Sequence, residues 1–298
     1  MKKKIAIIIV HYGSAKYTLA LLESLHKQKK DNFKIYLVDN DLSNRFETKP
    51  NPSKYDYRYI KSKSNLGWAR GANLGASYAI REGCNILCFL TCDTEVSGQS
   101  FVEKLTQPLN HRGIGATIPL VVFYDDPSRI WSAGGKLYKS IAFTKHNNYN
   151  HSATTKNFNK FPDFGGIGLT MQTKVYKQIG GWDFDYFLYY EDVDICYKVR
   201  KLNLKIKLIP AAVIKHRVTT PSKNVKEKLG SISSFHYGKS VFIFIKKNFN
   251  KLNTITAMFG QLFIRAPLFA IAMIRQRNFA AFRSYIHGSL SGIKEVLF

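Results

Sequence analysis

The chain has 298 residues, of which 45% are hydrophobic and 14% aromatic, so it is long enough to bury a core and too apolar to remain disordered. Its 45 Lys and Arg against 20 Asp and Glu give a formal net charge of +25, which indicates an anionic partner such as nucleic acid, a phosphorylated substrate or an acidic membrane. The four cysteines (Cys84, Cys88, Cys92 and Cys196) form no C-x-x-C pair, which excludes the usual zinc and redox motifs and indicates free thiols in a reducing compartment.

The first segment resembles the start of a secretory signal, because Lys2, Lys3 and Lys4 precede an apolar run over residues 5–10. The run is too short for a signal peptide and no small-residue cleavage site follows it. We therefore predict that residues 5–10 form a buried parallel strand.

Helical and strand patterns then alternate along the chain. The pattern predicts a helix over residues 15–29, strands over 33–38 and 57–60, a helix after Asn65, and a buried strand over 86–90. This alternation predicts βαβ units and a mainly parallel sheet, with ligands bound beyond the carboxyl ends of the strands. Asp39 and Asp93 both fall at that edge.

The middle of the chain is less regular. Residues 113–137 predict short strands with turns, and residues 139–160 are polar and asparagine-rich, which predicts a mobile loop. The glycine-rich residues 164–169 lack the preceding strand of a dinucleotide site, so we give them little weight as a phosphate loop. Residues 206–209 and 213–216 predict two short strands.

From about Phe235 the sequence becomes helical, basic and aromatic, with Glu295 as its one acidic residue. Its most apolar stretch, residues 257–274, is interrupted by Gln261, Arg265 and Pro267, which argues against a spanning helix of about 20 residues. An amphipathic segment at a membrane interface fits better. A helical cap with a solvated basic face is the alternative.

Two acidic sites follow predicted strands. The side chains of Asp39 and Asn40 could accept a hydrogen bond from a nucleotide base N–H and hold the ribose. An Asx turn or a helix cap would use the same residues. In the segment Asp93-Thr94-Glu95, two carboxylates at i and i+2 are placed to reach one divalent cation that holds a diphosphate. The alternative for this second site is a polar turn.

The third acidic site opens a predicted helix and is surrounded by aromatic residues. Asp192 shares a helical face with Cys196 and Val199, so it is expected to face inward, which favours a catalytic role. The simpler interpretation is that Glu191, Asp192 and Asp194 complement the helix dipole. That interpretation leaves the aromatic neighbours unexplained.

Together, the segments from about Ile5 to His216 resemble the family 2 inverting glycosyltransferases of the GT-A fold. The resemblance is strongest to the rhamnosyltransferase-like and galactofuranosyltransferase-like branch. Its most specific blocks are residues 180–196 and 210–216, followed by residues 65–75 and, more weakly, 132–135.

The resemblance implies transfer by a single displacement, with inversion and no covalent intermediate. Asp192 would be the general base that takes the acceptor hydroxyl proton, and Asp93 and His216 would bind Mn²⁺ or Mg²⁺. Whether Glu95 also binds the metal is open, since Thr91-Cys92 stand where the family commonly has Asn-Pro. From its position alone, His216 would more often have a structural role, since a lone histidine is more often structural than a metal ligand.

The resemblance also implies the substrate contacts. Donor-binding residues would be Asp39, Asn40, Asn65, Gly67, Arg70, Asn73 and Asp93. Acceptor-binding residues would be Trp182, Asp183, Tyr190 and Glu191. The arginine that often follows the acidic helix start in this family corresponds here to Lys198 or Arg200.

The implied partners are a nucleoside-diphosphate sugar, either dTDP-rhamnose or a UDP-hexose, and a glycan or polyprenyl-diphosphate-linked acceptor of cell-surface polysaccharide synthesis. Basic residues of the C-terminal part would meet anionic lipid or the acceptor diphosphate, namely Lys246, Lys247, Arg265, Arg275, Arg277 and Arg283. The expected location is the cytoplasm, peripheral on the inner face of the membrane. We predict a catalytic domain over residues 1–220 and a helical extension over 221–298 for membrane association, acceptor binding or homo-oligomerisation.

Two other functions compete with this one. A nucleic-acid-binding protein would explain the charge and the many aromatic residues, but the sequence contains no recognised nucleic-acid motif and its basic residues are dispersed. A catalytically inactive relative that acts as a membrane scaffold is suggested by the departure at Thr91-Cys92.

Overall fold

The computed structural model describes residues 4–29, 33–42, 56–218 and 230–297. The strands of its main sheet are β1 (Ile5–His11), β2 (Phe33–Asp39), β3 (Tyr57–Lys61), β4 (Ile86–Thr91), β5 (Thr94–Ser97), β6 (Ile114–Phe123) and β7 (Ile130–Ser132). After a separate hairpin of β8 (Gly135–Tyr138) and β9 (Phe143–His146), the chain returns to this sheet as β10 (Leu169–Gln172) and β11 (Lys205–His216).

The nine-stranded sheet has the order β3-β2-β1-β4-β10-β6-β11-β5, with β7 beside β6, within the described part of the chain. Strands β1 to β4 pair in parallel, as do β6 and β11, whereas β10 runs antiparallel to both β4 and β6. All seven residues of β1 are buried, as expected for a strand covered on both faces. The predicted α/β architecture is confirmed, and the sheet is mixed, because β5 and β7 also run antiparallel to their neighbours β11 and β6.

Helices flank this sheet. They are α1 (Ala15–His26), α2 (Gly67–Arg81), α3 (Phe101–Thr106), α4 (Thr173–Gln178) and α5 (Glu191–Lys201). Helix α2 packs so closely on the sheet that a Cβ added at Gly75 would lie 2.6 Å from Cγ2 of Ile8. The predicted first helix is shorter than expected, because it ends at His26 rather than at residue 29.

Two local predictions were wrong. Residues 139–160 are not a mobile loop, since β9 pairs with β8 and the following turns bond to the β6–β7 region, with Ile130 N–H donating to His151 O over 2.9 Å. Residues 206–216 form one strand rather than two, because β11 stays paired with β6 through a bulge between Ile209 and Val213. In both places pairing with a distant strand decided the outcome.

The C-terminal part contains α6 (Ser231–Asn248), α7 (Lys251–Gly260), α8 (Ala266–Arg275) and α9 (Phe279–Leu297), with a π-helical turn over Gln261–Arg265. Helices α6 and α9 pack closely against each other at glycine positions. A Cβ at Gly288 would lie 1.9 Å from the carbonyl oxygen of Phe235. The predicted domain boundary after residue 220 lies outside the described residues.

The segment Lys251–Arg275 is one continuous helix that includes Gln261, Arg265 and Pro267, the residues that interrupt its apolar pattern. The π-helical turn just before Pro267 suits a residue that lacks a backbone N–H. By length and composition alone this helix could cross a membrane, with a mean hydropathy of 1.7, although a single helix of this kind is weak evidence for a span. Gln261 and Arg265 are turned into the protein.

Candidate active site

The carboxyl ends of β1, β2 and β4 meet at one edge of the sheet, with His11 paired to Asp39 and Val10 to Thr91. Asp39 is buried, and its Oδ1 accepts from the backbone N–H of Asp41 over 3.0 Å while its Oδ2 accepts from the Tyr59 phenol. Burial and the carboxylate of Asp39 raise the pKa of Tyr59. The Asx turn considered as the alternative is therefore present, and a nucleotide contact by Asp39 stays a prediction.

The side chain of Asn40 hydrogen-bonds to the start of α2 at this edge of the sheet. Its amide Nδ2 donates to Gly67 O over 3.0 Å, and its Oδ1 accepts from Leu66 N over 3.2 Å. Gly67 has φ +70°, and a Cβ there would lie 2.6 Å from Phe187 O, so the close approach requires glycine. Asn65 accepts the Gly67 N–H over 3.0 Å. The structure thus places Asn40, Asn65 and Gly67 together beside Asp39.

Arg70 and Asn73 bind the segment that precedes α5. Arg70 Nε donates to Phe184 O over 3.0 Å, and Asn73 Nδ2 donates to Trp182 O over 2.7 Å. Asn73 Oδ1 accepts from Trp182 N over 3.1 Å and from the Tyr176 phenol. Their placement supports a role in holding this segment on α2, and does not support the predicted donor contact of Asn73.

Asp93 and His216 lie side by side at the end of β11. Nε2 of His216 is 3.2 Å from Oδ2 of Asp93, and Trp131 packs edge-on against the imidazole with ring centroids 4.7 Å apart. Burial alone would raise the pKa of Asp93, but the hydrogen bond and charge of His216 outweigh it and lower that pKa. The pair carries one carboxylate and one imidazole on the edge where a donor diphosphate is expected.

This pair fits a divalent cation. Asp93 Oδ1 and His216 Nδ1 are buried and have no hydrogen-bond partner among the described residues. Carboxylate and imidazole are both ligands of Mn²⁺-type ions, which usually keep substrate phosphates and waters as further ligands. No group of three or more His, Cys, Asp or Glu side chains with metal-binding geometry occurs within residues 4–29, 33–42, 56–218 and 230–297, so Asp93 and His216 would need such additional ligands.

Glu95 does not join them. Its Oε1 pairs with Nη2 of Arg217, whose guanidinium lies 3.6 Å from the ring centroid of Tyr124 and 4.8 Å from that of Tyr17. Strand β5 presents Glu95 opposite Lys215, one position before His216 on β11. The predicted metal contact of Glu95 is not supported by this placement.

A cleft of about 690 Å³, including its solvent-open part, lies along this edge. Asp192 and Glu191, the first residues of α5, form one wall. A Cβ at Gly166 would lie 2.9 Å from Cβ of Asp192, so the glycine-rich segment makes room for the carboxylate. The other lining residues are Trp68, Thr91, Ile118, Pro119, Val121, Trp131, Ser132, Gly134, His146, Gly165, Ile167 and Leu188.

The two carboxyl groups of this wall titrate abnormally. Burial raises the pKa of Asp192, and burial together with the charge of Asp192 raises the pKa of Glu191 further. The pair therefore keeps a shared proton to a higher pH than an isolated carboxyl group would. An ionised carboxylate beside a protonated one is an arrangement suited to proton transfer.

His146 is a cleft residue that the sequence did not indicate. Its Nδ1 lies 2.9 Å from Ser132 Oγ, and its ring centroid is 4.8 Å from that of Trp131. Burial and the charge of His216 lower the pKa of His146 to about 4, so it is a neutral hydrogen-bonding group. The available signal was Gly134-Gly135 followed by two short strand-like runs, of which the first lies among the predicted short strands with turns and the second in the predicted loop over residues 139–160.

Of the four predicted acceptor residues, Glu191 lines the cleft. Trp182 is fully buried against Trp68 and Phe89, with centroids 6.0 and 5.2 Å away, and Tyr190 is buried with its hydroxyl donating to Ala142 O over 2.7 Å. A direct acceptor contact by Trp182 or Tyr190 is not supported by these placements.

The fourth, Asp183, is held by two lysines. Lys198 Nζ lies 3.2 Å and Lys247 Nζ 2.7 Å from its carboxylate. Lys198 also pairs with Asp194 over 2.7 Å, whereas Arg200 pairs with Asp163 over 2.9 Å. Lys198 is thus the basic residue that serves the acidic start of α5, and Asp183 is occupied by ion pairs rather than presented to an acceptor.

Comparison with known proteins identifies the family of this chain. A sequence profile described as Glycosyl transferase family 2 matches residues 6–180. The low-salt glycan biosynthesis hexosyltransferase Agl10 of Haloferax volcanii is 26% identical over 214 residues, which are 69% of this chain and 64% of the archaeal protein. The chain therefore spans less than two thirds of that relative.

Solved structures share the fold. The mannosyltransferase PcManGT of Pyrobaculum calidifontis, solved with GDP-Man and Mn²⁺, superposes with a TM-score of 0.60 over 98% of this chain and 87% of its own, at 13% identity. Residues 1–349 of Staphylococcus aureus TarS, also solved with UDP, give a TM-score of 0.56 over 98% and 83% of the two chains, at 14% identity.

Proposed function

The chain belongs to glycosyl transferase family 2, and we propose that it is an inverting hexosyltransferase that uses a nucleoside-diphosphate sugar. The observation that carries this proposal is the convergence of three side chains on one sheet edge. Asp93 and His216 form a part-buried hydrogen-bonded pair, and Asp192 opens into the cleft that also contains Trp131, the neighbour of His216.

In the reaction, an acceptor hydroxyl oxygen forms a bond to the anomeric carbon of the donor while the bond from that carbon to the diphosphate oxygen breaks. Asp192 accepts the hydroxyl proton, and the nucleoside diphosphate leaves with the bonding electron pair. One displacement inverts the anomeric centre. A positioned carboxylate base of this kind contributes roughly 10²–10⁴-fold to the rate.

A divalent cation would neutralise charge on the diphosphate leaving group when bound. Asp93 and His216 are the residues that would hold it, as Mn²⁺ or Mg²⁺. The protein itself supplies the buried, partly unpaired atoms of these two residues and the aromatic wall of Trp131. The Mn²⁺ bound to PcManGT is consistent with this assignment.

We further propose that the donor carries UDP or dTDP, with rhamnose or a hexose as the sugar. Asp39 and Asn40 follow β2, beside β1, at the carboxyl-end edge of the sheet where such a nucleotide would bind, although their side chains also serve the turn they belong to. The acceptor would be a glycan or a polyprenyl-diphosphate-linked oligosaccharide of cell-surface polysaccharide synthesis.

The helix Lys251–Arg275 supports a location on the inner face of the cytoplasmic membrane. Several of its large apolar side chains are exposed: Leu252, Ile255, Phe259, Leu262, Phe263, Ile264, Leu268, Ile271 and Ile274. Residues 231–298 contain nine Lys and Arg against the single acidic Glu295. An exposed apolar helix with basic surroundings suits the interface of an anionic bilayer.

The test is donor turnover by the purified full chain. UDP-hexoses and dTDP-rhamnose are each incubated with Mn²⁺ and a lipid-linked or glycan acceptor, and release of the nucleoside diphosphate is measured. Release that requires Asp192 supports the proposal. Nucleotide binding without turnover of any donor would favour the inactive scaffold, and no binding of any nucleotide by folded protein would overturn both the donor and the metal assignments.

A further inference from the structure

A second pocket lies in the C-terminal part and shares no lining residue with the cleft. It has a volume of about 690 Å³, including its solvent-open part, and it is formed where the helix Lys251–Arg275 passes over α6 and the turn before β9. Its lining is apolar and aromatic apart from one guanidinium: Ile141, Phe143, Tyr237, Gly260, Ile264, Arg265, Leu268 and Phe269.

Arg265 is the unusual residue of this pocket. It is only 7% exposed, and its Nη1 donates to the Tyr190 hydroxyl over 2.9 Å and to Gln261 Oε1 over 3.0 Å. Its guanidinium carbon lies 4.2 Å from the ring centroid of Tyr237. Nε and Nη2 are buried without a hydrogen-bond partner among the described residues. A buried cation with two unused donors is costly unless an anion completes it.

The backbone holds Arg265 in place through the π-helical turn. Gln261 donates from Nε2 to Ile141 O over 2.5 Å and to Ala142 O over 3.3 Å, and a Cβ at Gly260 would lie 2.4 Å from Cγ2 of Ile141. Turns of this kind inside α-helices are frequent at functional sites. The pocket is therefore a preformed arrangement rather than a chance gap between mobile side chains.

The mouth of the pocket opens on the apolar face of the same helix. Leu268 and Ile264 line the pocket and are 63% and 46% exposed, and Phe263 beside them is 65% exposed. A ligand that reaches Arg265 from this side must pass apolar side chains. Such a ligand needs both a hydrocarbon part and an anionic head.

We propose that this pocket binds a lipid that carries a phosphate. The hydrocarbon chain would lie against Ile264, Leu268 and Phe269, and a phosphate oxygen would accept from Nε and Nη2 of Arg265. The ligand is either an anionic membrane phospholipid or the phosphorylated lipid of an acceptor, which present the same chemistry to the pocket. The test of this proposal does not depend on the proposed sugar transfer, because lipid binding is measured with no sugar donor present.

The test is calorimetric binding of farnesyl phosphate to the full chain, with farnesol and inorganic phosphate as probes of each half of the ligand. We expect farnesyl phosphate to bind at least about tenfold more tightly than either. In Arg265→Gln, affinity for farnesyl phosphate should fall at least about tenfold while affinity for farnesol is unchanged. Lys251→Gln, exposed on the same helix but outside the pocket, is the matched control and should bind as the wild type does.

A second variant keeps the test decisive if Arg265→Gln does not fold. Leu268→Trp fills the pocket from its exposed mouth and should weaken farnesyl phosphate binding, whereas Leu252→Trp, 70% exposed on the same helix, should not. Equal binding by Leu268→Trp and wild type, or farnesol binding as tight as that of farnesyl phosphate, would overturn the proposal.

A competition experiment distinguishes the two sources of the ligand, an anionic membrane phospholipid and the phosphorylated lipid of an acceptor. Phosphatidylcholine vesicles that contain phosphatidylglycerol displace farnesyl phosphate if the ligand is a membrane phospholipid. Displacement that instead requires vesicles containing a polyprenyl phosphate identifies the lipid of an acceptor. Displacement of the same extent by pure phosphatidylcholine would contradict a role for the anionic head group.

Discussion

Nε2 of His216 lies 3.2 Å from Oδ2 of Asp93, although 123 positions separate the two residues in the sequence. Strand β11 brings them together by pairing with β6 on one side and with β5 on the other. The pairing of β11 places its last residue opposite Thr94, directly after Asp93. The proposed cation site is thus a product of sheet topology.

This relationship predicts which residues make nucleotide binding depend on metal. Asp93→Ala and His216→Ala should abolish the rise in thermal stability that UDP or dTDP causes with Mn²⁺, because each removes a ligand of the cation. Glu95→Gln should retain that rise, since Glu95 pairs with Arg217. A metal-dependent shift that survives in both Asp93→Ala and His216→Ala would place the cation elsewhere.

Asp192→Asn tests the general base. The change should lower kcat by roughly 10²–10⁴-fold while leaving the affinity for the nucleotide unchanged, because the amide cannot accept the hydroxyl proton. Asp185→Asn is the matched control, since its side chain is 59% exposed and pairs with Lys247. Equal kcat in Asp192→Asn and wild type would refute the mechanism.

The same residue should set the acidic limb of the pH profile. Because burial raises the pKa of Asp192, activity should fall on acidification at a higher pH than an exposed aspartate would give. The pH dependence of kcat/KM reports this group in the free enzyme. A limb at the ordinary aspartate pKa, near about 4, would show that another group controls the rate.

Glu191→Gln should change how stability depends on pH. The folded state raises the pKa of Glu191, so its contribution is greatest below the ordinary glutamate pKa and is lost as pH rises through the raised value. Between about pH 5 and about pH 9, wild type should lose at least about 1 kcal/mol relative to Glu191→Gln. Urea denaturation at both pH values measures this, with the exposed Glu103→Gln as a control that follows wild type.

The outer face of the helix Lys251–Arg275 should govern membrane association. Phe263 and Phe259 are 65% and 60% exposed, so Phe263→Glu should reduce co-sedimentation with phosphatidylglycerol vesicles by roughly tenfold or more. Tyr149→Glu, an exposed aromatic residue of the catalytic part, provides the comparison and should sediment as wild type does. Unchanged sedimentation of Phe263→Glu would exclude this face.

Gly288→Ala tests the α6–α9 contact. A Cβ at Gly288 would lie 1.9 Å from Phe235 O, so the helices must separate, at a cost of about 1–3 kcal/mol. The neighbouring His287→Ala, exposed on the same helix, should cost little or stabilise slightly. The denaturation midpoint measures both changes, and equal midpoints for the two variants would show that this packing is adjustable.

The fold was largely predictable because its central strands can be recognised from their local hydrophobic pattern. The apolar runs of β1, β2 and β4 were placed to within one residue of their observed ends, since strands buried on both faces read as continuous hydrophobic segments. Strand β9 was missed because its residues Phe143–His146 are mixed in polarity and are held by pairing with β8. Local sequence contains no record of that pairing.

The candidate site was predictable only in part, for a similar reason. Asp93 and Asp192 were identified because acidic residues after a strand and at a helix start form local patterns. The contacts of His146 and Arg265 were not predicted, because their hydrogen-bond partners are distant in the sequence. Ser132 lies 14 positions from His146, and Tyr190 lies 75 positions from Arg265. Trp182 and Tyr190 showed the reverse problem, because the resemblance implied acceptor contacts for both, whereas both side chains are buried in the structure.

Helix α6 is bonded directly to the segment that carries the acidic residues. Ser240 Oγ donates to Leu188 O over 2.8 Å, and Asn248 Nδ2 donates to Asp194 Oδ1 over 2.7 Å. Residues 231–297 therefore cannot be replaced independently of the segment to which they are hydrogen-bonded. A chimera that takes these helices from a relative would also have to take the matching segment over residues 188–194, because otherwise both hydrogen bonds would be lost.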